Sequence, residues 1–187
     1  MSDMPTAYTR TAIALHWLIA LLIFALFPVG LYMVGLPLSP EKLRIYSYHK
    51  WTGVTVFLLA LLRLAWRLTH GAPPPPAAMP PWQRRLAALS HGALYLLLLV
   101  IPLSGWVMSS ALGVPVVYFG VLPLPDLVAK NKELGEALKV VHASLNFTLA
   151  ALVVLHAAAA LKHHLVDRDD VLVRMIPFLK PPIENSR

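Results

Sequence analysis

The chain has 187 residues, 58% of them hydrophobic and only 13% charged, and its mean hydropathy is +0.66. A water-soluble domain carries about 25% charged residues, so the apolar excess must face lipid, and the composition is that of an integral membrane protein. With 16 Lys and Arg against 9 Asp and Glu the net charge is +7, which in so apolar a chain marks membrane rims and anionic headgroups rather than nucleic acid. The chain has no cysteine, which excludes disulfides, zinc–thiolate sites, cysteine-held iron–sulfur clusters and C-x-x-C-H attachment. His, Met and carboxylates are left as metal ligands.

About 20 apolar residues cross the hydrocarbon core, and four stretches qualify. The first span, residues 11–34 ("TAIALHWLIALLIFALFPVGLYMV"), carries His16 about a turn and a half in. No small-residue cleavage site follows it, so it reads as a span and not as a signal peptide. "GLPLSPEK" is a short turn into the second span, residues 43–68, which holds His49 near its start and Arg63 and Arg67 near its end. Residues 69–85, around "HGAPPPPAAMPPWQRR", form a proline-rich extended link. The third span, residues 86–112, opens near His91 and contains "GALYLLLLVIPLSGWVM". "GVPVVYFGVLPLPDLVAKNKELGEALK" begins irregular and ends as an amphipathic helix leading into the fourth span, residues 138–165. Pro28 and Pro102 fall inside spans and are expected to kink them. The expected fold is all-α: a single transmembrane domain over residues 1–187, built as an up-down bundle of four helices.

Arg10, Arg63, Arg67, Arg84, Arg85, Lys162, Arg168, Arg174, Lys180 and Arg187 lie on one side of such a bundle, and Lys42, Arg44, Lys50, Lys130, Lys132 and Lys139 on the other. The bias places both termini in the cytoplasm. Trp17, Trp51, Trp66, Trp82 and Trp106 fall mostly near span ends, as interfacial anchors do.

The fourth span, "VVHASLNFTLAALVVLHAAAALKHH", carries four histidines. His142 and His156 are separated by a rise of about 21 Å and lie only about 40° short of four full turns apart. They share a face near opposite ends of the bilayer core, too far apart for one metal. In an up-down bundle His16 matches His156 in depth on the inner side, and His49 matches His142 on the outer side. A lone intramembrane histidine is more often a helix–helix hydrogen bond or a proton relay. Four histidines paired by depth and face favour two bis-histidine haem b sites stacked across the bundle. His91 lies at the depth of His16 and is a less favoured alternative ligand, and Met108 and the other methionines read as packing.

The residues also carry a resemblance. "ALHWLIALLIF", "HKWTGVTVFLLALLRLAWRL", "LSHGALYLLLLVIPLSGWVMSS" and "VVHASLNFTLAALVVLHAAAALKHHLVDRDDVLVRMIP" resemble the bacterial cytochrome b561 family over about residues 10–177. That family comprises four-helix di-haem membrane cytochromes related to the cytochrome b subunits of nickel-dependent hydrogenases. The resemblance implies axial ligands at His16, His49, His142 and His156, two haem b groups, a bacterial inner-membrane location and electron exchange with membrane quinone, ubiquinone being the expected partner.

Other polar residues fit around that frame. His163, seven residues beyond His156, falls on nearly the same face about 10 Å further inward, where a quinone carbonyl can accept its hydrogen bond; His164 points about 80° away. Arg63 and Arg67 share a face at the inner end of the second span and suit haem propionates or quinone, with snorkelling to the interface as the competing reading. Lys42, Arg44 and Lys50 make a small outer basic rim, more readily solvated loop than a funnel for an anionic one-electron donor such as superoxide. No nucleotide, flavin or zinc-protease motif is present. The expected function is transmembrane electron transfer between quinone and an outer donor not fixed by the residues. Alternatives are a haem-bearing anchor subunit of a larger dehydrogenase or hydrogenase, a proton-coupled transporter using a histidine relay, and a purely structural anchor.

Overall fold

The computed structural model describes residues 7–179. Four helices dominate it: α1 (Arg10–Gly35), α2 (Pro40–His70), α3 (Pro81–Ala111) and α4 (Lys132–Lys162). All four are long and apolar enough to cross a membrane. Their starts are written locally. Thr9 Oγ1 accepts from Ala12 N at 3.2 Å, Ser39 Oγ from Lys42 N at 3.2 Å and Asn131 Oδ1 from Leu134 N at 3.0 Å, each satisfying an otherwise orphaned helix donor. Helix α3 instead starts on Pro81, whose missing N–H costs nothing at that position.

These caps move several boundaries. The extended link shrinks to Gly71–Pro80, because α2 continues to His70 and α3 begins at Pro81 rather than near residue 86. Gly71, at φ 67° and ψ -169°, ends α2 in a positive-φ conformation that glycine adopts without a Cβ clash. The amphipathic lead-in and the fourth span are one continuous helix, α4. Pro28 and Pro102 sit inside helices that run through them.

Helix α1 packs on α2, α2 on α3 and α3 on α4, whereas α1 and α4 make no comparable backbone contact. Arg63 on α2 donates to the Ala12 carbonyl of α1 at 2.5 Å, and Arg174 after α4 donates to the Pro74 carbonyl of the link at 2.6 Å. Residues 7–9, the α2–α3 link and residues 163–179 therefore lie together on one face, called here the terminal side. The α1–α2 turn and the α3–α4 connection lie on the other, the loop side. Few side chains are buried, and large apolar ones such as Leu21 (65% exposed) and Leu155 (63%) point outward. Lipid is the solvent that such a surface requires. Between α3 and α4 a small core of Leu97, Ile101 and Leu149 is joined by Leu145, Leu152 and Val153, all on the length of α4 between His142 and His156.

The α3–α4 connection contains an element the hydropathy pattern did not predict. Strands β1 (Val117–Tyr118) and β2 (Leu122–Pro123) pair antiparallel, Val117 with Pro123 and Tyr118 with Leu122. This hairpin is tied to α2: Trp51 Nε1 donates to the Val117 carbonyl at 2.6 Å, and the Thr55 and Tyr118 hydroxyls lie 2.9 Å apart. Trp17, Trp66 and Trp106 likewise spend their indole N–H groups on Met175 O, Thr9 Oγ1 and Pro125 O, the behaviour of rings whose apolar body sits in lipid and whose polar edge does not. Removing the Thr55–Tyr118 bond with Tyr118→Phe is expected to destabilise the loop side by about 1 kcal/mol, read as a lowered thermal midpoint in detergent.

Candidate functional site

The bundle brings its intramembrane histidines together in two groups. Towards the terminal side, the rings of His16 (α1) and His156 (α4) face each other with centroids 6.2 Å apart and planes at 58°. His91 (α3) lies against the same His156 ring, its centroid 5.3 Å away. Towards the loop side, the rings of His49 (α2) and His142 (α4) are 6.5 Å apart with planes at 76°. Depth matching in an antiparallel bundle sets the loop-side pair, whereas on the terminal side it brings both His16 and His91 to His156.

Three residues that hydropathy alone does not single out shape the loop-side pair. Ser104 Oγ lies 2.9 Å from His142 Nδ1 and donates to the Ile101 carbonyl at 2.7 Å. A Cβ on Gly105 would stand 3.1 Å from His142 Cε1, and one on Gly30 would stand 3.3 Å from His49 Cε1. Glycine at both positions lets the imidazoles lie directly on the α3 and α1 backbones. The legible signal was the Ser-Gly pair of "PLSGW" in an otherwise apolar run. Among the described residues, His49 Nδ1 is buried without a hydrogen-bond partner.

Around the terminal-side group, the Arg63 guanidinium sits 6.0 Å from the Tyr95 ring centroid. Arg63 and Arg67 line an open recess with Tyr8, Thr9, Trp66 and Tyr95. His163 opens a π-helical turn (His163–Asp167) that continues α4. Its Nδ1 lies 2.6 Å from Asp169 Oδ2 and 3.2 Å from Asp167 Oδ2, while Lys162 Nζ holds Asp167 at 2.6 Å. Asp169 is the partner that reading single helix faces missed, since it reaches His163 only because the chain turns back after the π-turn. His164 Nδ1 is buried without a partner among the described residues. On the loop side Lys42 Nζ donates to the Leu36 carbonyl at 2.5 Å, and Lys50 Nζ to the Val114 carbonyl at 3.3 Å.

Fold and histidines together define a lipid-embedded four-helix bundle with paired imidazoles at two depths. Residues 7–178 match the family described as Prokaryotic cytochrome b561. The chain is 33% identical over 176 residues to Cytochrome b561 homolog 2 of Escherichia coli (strain K12), covering 94% of each protein. It is 32% identical to Cytochrome b561 homolog 1 of the same organism, over 92% of this chain and 98% of that protein. A third relative, Probable superoxide oxidase CybB of Yersinia pestis, is 29% identical over 91% of this chain and 96% of its own length. The chain belongs to the prokaryotic cytochrome b561 family. It is accordingly a multi-pass bacterial membrane protein, a b-type cytochrome of electron transport.

Proposed function

We propose that the chain holds two haem b groups, one between His16 and His156 and one between His49 and His142, and carries electrons across the inner membrane between quinone and an outer one-electron donor. The observation that carries this reading is the ring separation. Two imidazoles that would hold one iron between them, each through a nitrogen at a bond of about 2 Å, need ring centres roughly 6 Å apart. The observed 6.2 Å and 6.5 Å fit that span, and the 5.3 Å between His91 and His156 is too short for it. The glycine-lined flanks of the loop-side rings suit an apolar macrocycle lying against them. Bound haem iron supplies the one-electron redox chemistry.

The remaining residues position the ends of this path. Arg63 and Arg67 present guanidinium forks that match carboxylates, as propionates require. His163, with Nδ1 engaged by Asp169, keeps Nε2 for a quinone carbonyl and can pass a proton there. Both termini are assigned to the cytoplasm by the Lys and Arg bias. A superoxide-type donor on the outer side is supported by the name of the Yersinia pestis relative. Lys42 and Lys50 tie the loops on that face through backbone carbonyls.

The test is a dithionite-reduced minus oxidised spectrum of the detergent-purified protein with a pyridine haemochrome assay. Two haem b per chain and a low-spin α-band are expected; no haem after expression with ample haem supply would overturn the reading in favour of a histidine proton relay. For the quinone end, His163→Ala is expected to slow quinone reduction on the order of 100-fold with haem content unchanged. An unchanged rate would remove His163 from the site.

A further inference from the structure

We infer that Ser104 is a positioning residue for the loop-side histidine pair: its hydroxyl holds His142 in the Nδ1–H form, leaving Nε2 as the ring nitrogen able to bind a metal. The inference rests on the ligand assignment proposed above. A serine hydroxyl has one proton, and a carbonyl can only accept. The 2.7 Å contact to the Ile101 carbonyl therefore takes the Ser104 proton, so at 2.9 Å from His142 Nδ1 the Ser104 oxygen must accept. The serine thus selects the Nδ1–H tautomer of His142.

Sequence adjacency gives the arrangement its precision. Ser104 supplies the acceptor, and Gly105, the next residue on α3, supplies the space in which the ring lies, its would-be Cβ 3.4 Å from the same His142 Nδ1. The opposite ring of the pair has no such support, since His49 Nδ1 is buried and unpartnered among the described residues. An acceptor on the distal N–H raises the basicity of a metal-bound imidazole and stabilises the oxidised metal. Ser104 is therefore expected to hold down the potential of the loop-side haem alone.

The test is a redox titration of the purified holoprotein, with the loop-side component assigned in a His156→Ala background. Ser104→Ala should keep two haems per chain and raise the loop-side potential, seen as a several-fold higher reduced fraction at fixed ambient potential. The other haem should not move, and Ser104→Thr, which retains the hydroxyl, should titrate like the parent. A Ser104→Ala protein with both haems and both potentials unchanged would overturn the inference. If Ser104→Ala sheds the loop-side haem outright, its retention in Ser104→Thr supports the positioning role, and its loss there too overturns it. Retention of both haems by His142→Ala would instead defeat the ligand assignment itself, a result separable from any shift in potential.

Discussion

His156→Ala is expected to yield a protein with one haem per chain, and His142→Ala likewise, while the double variant binds none. The asymmetry of the bundle makes this the most discriminating pair of substitutions. Helix α4 contributes one ring to each pair, with His16 and His49 opposite, so two changes on one helix address both sites independently. Axial ligands provide the specific bonds that hold a non-covalent haem, and the chain offers no cysteine for covalent attachment. The packing between α3 and α4 rests on Leu97, Ile101 and Leu149, which both substitutions leave in place, so the helices should still assemble. Pyridine haemochrome stoichiometry on each purified variant is the measurement. Loss of neither haem would sink the assignment, and His91→Ala provides the contrast, because its short approach to His156 predicts that both haems stay bound.

A comparable loss is expected from side chains placed on the two glycines. At Gly105 a methyl would already press within 3.1 Å of His142 Cε1, tighter than ordinary van der Waals contact, so Gly105→Ala should weaken the loop-side site. Gly105→Val should remove it, because overpacking of this kind costs about 1–3 kcal/mol and the ring has the α3 backbone behind it. Gly30→Val should act on the same haem from the His49 side, where the corresponding distance is 3.3 Å. Gly53 is the control: nothing lies within 4 Å of its would-be Cβ, so Gly53→Ala should be silent. The terminal-side haem should survive in all these variants. Visible spectra and haem retention on heating measure the difference, and equal loss of both haems in Gly105→Val would mean that the bundle, rather than one pocket, had failed.

The way the chain encodes these sites explains which parts could be read in one dimension. Lipid demands about 20 apolar residues per crossing and internal satisfaction of backbone polar groups, so four spans, their antiparallel order and the depth of each histidine follow from hydropathy and helical rise alone. His142 and His156 fall on one face because of their spacing, and the structure brings His16 and His49 against them as that depth predicts. Boundaries were harder. Asn131 and Pro81 start their helices in polar or proline-rich sequence, where capping chemistry outweighs hydropathy. The β1–β2 hairpin escaped notice because two-residue strands leave no periodicity; its hold on α2 through Trp51 and Thr55 is entirely tertiary.

By itself, then, the sequence determined the membrane class, the number of crossings and which imidazoles share a depth, since these depend on lengths and angles along a single helix. Only the tertiary structure decided that Ser104 and Gly105 on α3 meet His142 on α4, that Gly30 gives way to His49, that His91 crowds His156, and that Asp169 turns back onto His163. Those are contacts between different helices or across an irregular turn. They depend on the rotation of each helix about its axis and on how closely two backbones approach, and neither quantity is carried by the pattern of any one segment.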